Sequence, residues 1–525
     1  VLLSYQGNGM LTALQNQDAS TFWQYIGIFC VLATIHVARS MFELYVQTAL
    51  TIRWRVWLTD RMVGDWLDGR AYHKGRYTSA AVDNPDQRIQ EDIHSFPTDS
   101  VTLGVGAVDA LVSLVSFTLI LWELSGPLEI LGVDVPRAMT FLVFLFVIVA
   151  SVFAFRIGRP LILLNFLQER YNASFRYSLV RLRENSENVA FQRGERVESG
   201  ILGGRFRAVI DNAWALLFRT IKFSGFNLSV SQISVVLPYI IQAPRFFAGQ
   251  ITLGDLNQTS TAFGQVHDSL SFFRNAYDDF ASYRAVLDRL TGLMDANSAA
   301  RALPTADVED GDDLQVRDLT VRRPDERVLV DDLDLDVAGG TSLLVTGPSG
   351  GGKTTLLRSL AELWPFTSGT LTRPCGPNET MFLSQMPYVP LGDLRAVVSY
   401  PAEPGSIPDE ELHAALQKVS LPQCSQRLSE VADWAKVLSP GEQQRIAFAR
   451  ILLTRPRVVF FDEATSALDE GLEYTMYALV RSELPETILV SVTHRSTVGQ
   501  HHEKHLQLHG GGRWTLGEVD DDAAD

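Results

Sequence analysis

In SLLVTGPSGGGKTTLLRSL (342–360) an apolar strand runs into a glycine-rich turn and then a helix start, and GPSGGGKT at 347–354 has the spacing GxxxxGK[ST]. Glycines let the backbone N–H groups of Gly350, Gly351, Gly352 and Lys353 wrap an anion, and the helix N-terminus adds positive potential. Lys353 can reach β- and γ-phosphates, and Thr354 can offer its hydroxyl to Mg²⁺. The run Gly347, Pro348, Ser349, Gly350, Gly351, Gly352, Lys353, Thr354 and Thr355 is therefore the expected nucleotide contact, with ATP and Mg²⁺ as cofactors. A glycine-rich structural turn is the alternative, and the flanking strand and helix weigh against it.

Further along, RVVFFDEATSALD (457–469) ends a second apolar strand in two carboxylates. Asp462 suits the coordination shell of Mg²⁺, and Glu463 suits polarising the attacking water. ILVSVTHR (488–495) puts His494 just beyond a third apolar strand, where it can hydrogen-bond a γ-phosphate. Gln385, in FLSQMPYVP (382–390), is a candidate for touching both Mg²⁺ and the lytic water. Alone, His494 would be an ordinary surface or core histidine and Gln385 an ordinary glutamine; their order after a phosphate loop gives them meaning. LSPGEQQR (438–445) also reads as the start of a helix built to hold an anion, yet the phosphates are expected at 347–355.

These residues need strands and helices to hold them. A chain of 525 residues allows two or three domains of about 100–200 residues each. The first 290 or so residues contain long apolar runs, and the remainder alternates short apolar strands with polar helices, as in an α/β domain. The expected organisation is an all-α transmembrane domain over 1–292, whose N-terminal part is expected to precede Val1, a linker over 293–313 and an α/β P-loop domain over 314–525. The linker is read from the Asp, Ala and Pro of LMDANSAARALPTADVEDGDD, and EVDDDAAD (518–525) is read as a mobile acidic tail. A net charge of −16 excludes a nucleic-acid partner, which would need clustered Lys and Arg. Cys30, Cys375 and Cys424 fall in no metal-ligand spacing and are expected to be buried small apolar groups.

Five stretches have the length to cross a bilayer: 22–44, 101–122, 138–155, 223–241 and the more polar 253–273. Segments 1–21 and 124–135 contain no Lys or Arg, whereas 53–100 contains seven and 156–222 contains twelve, which places the latter two in the cytoplasm. VLLSYQGNGMLTAL (1–14) then reads as the outer end of an earlier crossing. The run 175–198 has helical apolar spacing, so helices are expected to continue beyond the membrane, either as solvated arms or as a contact surface for the ATPase half. Charges within spans are costly. His36, Arg39 and Glu43 can share one helix face, where Arg39 and Glu43 neutralise each other or line a wet cavity; Asp109 favours the cavity.

Taken together, GPSGGGKTT, Gln385, LSPGEQQR, FFDEATSALD and His494 resemble, in order and spacing, the nucleotide-binding domains of ABC transporters, with the membrane half matching by architecture. The resemblance implies head-to-tail pairs with ATP between the phosphate loop of one copy and the signature helix of the other. Ser439 and Gly441 would then bind the γ-phosphate held by a second copy, Asp469 would lie at the seam, and a homodimer would be the complete machine. LRSLAELWPFTSGTLTRP (357–374), MPYVPLGDLRAVVSYP (386–401) and NPDQRIQEDI (84–93) are similar to the subgroup of peroxisomal fatty-acyl transporters and BacA- and SbmA-like peptide uptake proteins. The mycobacterial BacA-type branch, similar also at 181–198 and 437–456, implies uptake of cobalamin and hydrophilic peptides such as bleomycin across a bacterial cytoplasmic membrane. Export or flipping of lipid or acyl-CoA is the competing function, and an ABC ATPase without transport a third. Two departures stand out. Pro440 replaces the usual first glycine of the signature, which a first helical turn tolerates. Arg322 and Arg323 stand where many relatives carry an aromatic that stacks on adenine.

Overall fold

The computed structural model describes residues 1–78, 84–130, 133–376, 378–493 and 495–519. The chain divides into two compact units, Val1–Met62 with Asn84–Thr291 and Val63–Asp83 with Gly292–Asp525.

The first unit is helical: α1 (Leu2–Gln15), α2 (Ala19–Leu67), α3 (Ile93–Leu124), α4 (Ala138–Glu184), α5 (Ser186–Phe191), α6 (Glu195–Phe247), α7 (Leu253–Asn275) and the start of α8 (Tyr277–Arg301). Among the described residues, four helical stretches are long and apolar enough to cross a membrane, Ala19–Tyr77, Pro85–Leu124, Ala138–Glu184 and Glu195–Phe247. The fifth expected stretch is α7, a helix that falls short on composition. At about 1.5 Å per residue, the 47 residues of α4 and 53 of α6 far exceed a hydrocarbon core of about 30 Å, so both run well beyond it. Phe117, Leu121, Met139, Val143, Phe263 and Val266 form the unit's core where α3, α4 and α7 meet. Val108, Leu111, Val112, Val115 and Leu119 instead present an apolar exterior. On α2, Arg39 and Glu43 stand 3.5 Å apart, the mutual neutralisation that their spacing allows. Asp109 is exposed, one residue from lipid-type Val108.

The second unit carries two large sheets, besides a two-residue pairing of Gly392–Asp393 with Val431–Ala432. Strands β1 (Asp307–Asp310), β2 (Leu314–Arg322), β3 (Val328–Val337) and β5 (Thr367–Arg373) form one in the order β1-β5-β2-β3, with β2 antiparallel to both neighbours. The other runs β10-β9-β4-β8-β7-β6, built from β4 (Ser342–Thr346), β6 (Thr380–Ser384), β7 (Val458–Asp462), β8 (Ile488–Val492), β9 (Lys504–Gly510) and β10 (Arg513–Glu518). All its pairings are parallel except β9 with β10. β4, β7 and β8 read as near-continuous apolar runs because both faces of this sheet are covered. One face packs with Leu356, Leu357 and Leu360 of α9 (Lys353–Leu360); the other meets Phe448 and Tyr477 of α10 (Pro440–Thr454) and α11 (Glu470–Glu483).

Several expectations need correcting. The stretch 293–313 is not a bare linker. α8 continues to Arg301, where Asn297 and Arg301 donate to the Asp65 carboxylate at 2.7 and 2.8 Å, and Asp307–Asp310 is an edge strand paired with β5. Its composition concealed this, because alanine favours helix and an edge strand needs only backbone partners. Glu518 closes β10 and the Val519 N–H donates to Glu503 O, so the acidic tail does not begin at 518; residues 520–525 lie outside the described residues. Cys424 is buried, but Cys30 and Cys375 are exposed.

Candidate functional site

The phosphate loop leaves the C-terminal end of β4, where open α/β sheets hold their ligands. Gly347 has φ +147° and a Cβ there would lie 2.5 Å from Leu508 O, so only glycine fits. Gly352, at φ +100°, starts α9, with Leu329 directly against it. Lys353 is buried and its Nζ donates to Gly347 O at 2.8 Å and Pro348 O at 3.2 Å, bracing the loop from inside. Burial pushes this ammonium below the usual lysine range, against the pull of Glu463 and Asp462.

β7 delivers the acids, with β8 lying between β7 and β4. Thr354 Oγ1 donates to Asp462 Oδ1 at 3.0 Å, joining the two strand ends. Burial raises the Asp462 carboxyl above the usual range, with Glu463 adding to it and the Thr354 hydrogen bond opposing. Glu463 adopts φ +52°, and its N–H donates to Val492 O at 3.0 Å, which fixes the acid against the end of β8. A buried cation and a buried anion are each costly without opposite charge nearby. Phosphate oxygens would relieve Lys353, and a hard divalent cation would relieve Asp462. A hydroxyl and a carboxylate 3.0 Å apart suit Mg²⁺, which takes few protein ligands and fills its shell with phosphate and water.

A cavity of about 450 Å³ opens over this cluster, lined by residues 349–355, Glu463, Arg323, Leu329 and Trp364. Thus Ser349, Gly350, Gly351, Gly352, Lys353, Thr354, Thr355 and Glu463 share one wall, with Gly347 and Pro348 behind Lys353 and Asp462 beneath Thr354. The other described candidates are not among its lining residues. Gln385 is on an exposed turn after β6, its carbonyl accepting from Gln444 Nε2 at 2.8 Å. Ser439 caps α10 in a closed capping box: its hydroxyl accepts from the Glu442 N–H and donates to Glu442 Oε2. Pro440 occupies the first helical turn as expected, and a Cβ on Gly441 would lie 3.1 Å from Ala467 O. Asp469 caps α11 by accepting from the Leu472 N–H at 2.8 Å. His494 lies outside the described residues.

Four supporting residues escaped the sequence reading. Gln444, buried in α10, ties Gln385 O to Ser466 Oγ and accepts from the Ala467 N–H. Arg450 donates to Tyr388 O and Val397 O from a buried position that lowers its pKa to about 10. Glu473, buried in α11, accepts from Thr465 and Thr497 and faces Arg495 at 3.4 Å. Trp364 follows α9 in a stretch quoted only for its family likeness. A buried glutamine or glutamate looks like any helix-surface residue until its partners are known, whereas a tryptophan three residues before β5 was at least a visible signal.

Comparisons with known proteins decide the family. The family described as "ABC transporter transmembrane region 2" matches residues 1–247, and that described as "ABC transporter" matches residues 330–466. An ABC transporter ATP-binding protein of Haemophilus influenzae is 46% identical over 508 residues, covering 97% of this chain and 86% of its own. The chain belongs to the ABC transporter family. The human lysosomal cobalamin transporter ABCD4 is 28% identical to this ABC transporter over 549 residues, covering 96% of this chain and 88% of its own. A solved bacterial Atm1-family ABC exporter with ATP bound aligns with a TM-score of 0.72 at 19% identity, covering 98% of this chain and 93% of that one. The ABC transporter therefore has the exporter-type fold, a helical transmembrane domain followed by an α/β nucleotide-binding domain, and membership of its ATP-binding domain family implies ATP binding.

Proposed function

We propose that this ABC half-transporter uses ATP hydrolysis to import large hydrophilic solutes, cobalamin or hydrophilic peptides such as bleomycin, across a bacterial cytoplasmic membrane. It works as a homodimer in which each ATP lies between the phosphate loop of one copy and Ser439 and Gly441 of the other, with Asp469 at the seam. The observation that carries this reading is the separation of the two ends: residues 349–355 and Glu463 share one cavity, and Ser439 and Gly441 are not among the residues lining it. A helix start offers its N–H groups to an anion, and one that is not on the cavity of the phosphate loop can take the anion that a second copy brings.

In the mechanism, main-chain N–H groups of the loop and Lys353 hold the phosphates, and Glu463 accepts the proton of the attacking water. Thr354 and Asp462 would hold Mg²⁺, which when bound neutralises charge on the phosphates. Gln385 and His494 orient the water and the γ-phosphate. The signature helix of the partner closes the site, and closure of two copies moves the membrane helices.

Support for a hydrophilic cargo comes from the BacA-like stretches, from the likeness to a lysosomal cobalamin transporter, and from α7, which buries Gln258, Thr259 and His267 within the helical unit. Basic residues concentrated at 53–100 and 156–222 support a cytoplasmic ATPase half. Reconstituted protein supplied with ATP is expected to accumulate cobalamin or bleomycin but not acyl-CoA; equal uptake with a nonhydrolysable analogue defeats coupled import, and acyl-CoA transport alone favours the lipid reading. Mixed dimers test the sandwich. Lys353→Ala in one protomer with Ser439→Arg in the other leaves one intact site, whereas both changes in one protomer leave none. Equal turnover in the two arrangements would refute the shared site.

A further inference from the structure

The cavity over the phosphate loop has an aromatic wall that the phosphate chemistry does not use. Trp364 lines it, as do Leu329 and Arg323. Trp364 belongs to the connection between α9 and β5, a different segment from the turn between β2 and β3, where VRRPDERVLV (321–330) offers arginines in place of an aromatic. We propose that Trp364 is the surface on which the nucleotide base stacks, with the Arg323 guanidinium on the same cavity. This deepens the reading of the site as an ATPase and rests on it.

Three contacts hold the indole still. Its Nε1 donates to Arg322 O at 2.7 Å, which ties it to the end of β2. Tyr77 meets it edge-on with ring centroids 5.1 Å apart, and Phe366 does so at 5.7 Å. Arg70, on the same segment as Tyr77, donates to Ala361 O, fixing the connection that carries the tryptophan. The indole has therefore committed its only donor to the protein and packs at steep angles against two neighbouring rings, yet it remains half-buried with surface on the cavity. A fixed apolar face next to a triphosphate site is what a purine needs, since stacking requires no hydrogen bond from the ring and loses no side-chain freedom on binding. Leu329, packed against Gly352, extends the apolar floor from that wall toward the phosphates. Arg323 stands on an exposed turn and can cover a base by its planar guanidinium.

The test measures binding of ATP and of inorganic tripolyphosphate, which has phosphates but no base, to the full-length protein. Trp364→Ala is expected to weaken ATP about 5- to 150-fold, the range for losing one stacked base, and to leave tripolyphosphate within about threefold. Trp364→Phe keeps an aromatic face and is expected to hold ATP within about threefold of the wild type. Should the alanine variant misfold, tryptophan emission gives an independent reading: ATP quenches the parent and tripolyphosphate does not, and the ATP quench is absent in Trp364→Phe. Unchanged ATP affinity in Trp364→Ala, an equal loss for both ligands, or a quench that persists in Trp364→Phe overturns the proposal. The ATPase reading fails separately, through loss of ATP binding by the parent or its survival in Lys353→Ala.

Discussion

The two ends of the nucleotide machinery are built by different means. At the phosphate-loop end, main chain does most of the work: glycines at φ +147° and +100° shape a concave loop, and Lys353 is braced by two carbonyls of that loop. At the signature end, buried side chains do the work. Gln444 gathers Gln385, Ser466 and Ala467; Arg450 gathers Tyr388 and Val397; Glu473 gathers Thr465, Arg495 and Thr497. The outermost residues, Ser439 and Asp469, are exposed and satisfied by caps in their own helices. A concave main-chain site can hold a ligand by itself, whereas a satisfied, exposed helix start gains a ligand only when one is pressed onto it. The first end stores binding, and the second stores alignment.

The largest expected effect falls on the first end. Glu463→Gln keeps the shape of the loop and removes a proton acceptor, so ATP binding is retained and turnover drops about 10²- to 10⁴-fold. Normal hydrolysis in this variant would remove Glu463 as the base, and loss of ATP binding would mean that this end depends on more than its main chain. Gln444→Leu attacks the second end. It deprives Gln385 O, Ser466 Oγ and the Ala467 N–H of a common partner inside the protein, an expected loss of about 3 kcal/mol in chemical denaturation. ATP affinity should change little beside turnover. A parallel fall in both would erase the distinction between the two ends.

What the sequence made legible follows the same division. The residues of the phosphate loop are contiguous because one backbone segment must wrap the anion, so nine letters announce the site. Asp462 and Glu463 were legible because an apolar strand must end where they start. Gln444, Glu473 and Arg450 act through partners 8 to 62 residues away that lie outside their own helices, and no spacing within a helix reveals that. The same limit hid the placement of residues 63–78 with the ATPase unit, which depends on pairs such as Asp65 with Arg301 and Tyr77 with Trp364. It also hid β1, whose strand character comes from β5 and not from its own acidic composition. Chemistry done by neighbours in sequence is readable; alignment done by neighbours in space is not.

Acid sharpens the contrast on the second end. His502 is buried, its Nδ1 donates to Val498 O at 2.9 Å, and its Nε2 accepts from Ser491 Oγ at 2.9 Å, with Tyr477 donating in turn to that hydroxyl. Burial lowers its pKa from 6.5 to about 4, with nearby Arg481 and His501 adding to the effect. The folded state therefore refuses a proton that the unfolded chain accepts below pH 6.5. This part of the stability is complete above pH 6.5 and declines as pH falls toward 4, by on the order of 3 kcal/mol in all. Between pH 7 and 5 the wild type should lose about 2 kcal/mol more than a His502→Asn variant in urea denaturation. Identical pH profiles would mean that the imidazole carries its proton in the fold, contrary to this network.

The smallest effect is the most discriminating for the outermost residues, because Asp469 has one role visible in a single chain and another only in a pair. As a cap it accepts from the Leu472 N–H, and Asp469→Ala should cost about 1 kcal/mol of stability. Asparagine caps as well as aspartate, so Asp469→Asn should restore that stability to within a few tenths of a kcal/mol. A residue that only caps would then have turnover restored along with it. A carboxylate facing a second copy across the nucleotide would not, since the amide keeps the shape and loses the charge. Stability recovered with turnover still reduced therefore places Asp469 at a seam between copies; turnover recovered in full leaves it a helix cap, and narrows the second end to Ser439 and Gly441.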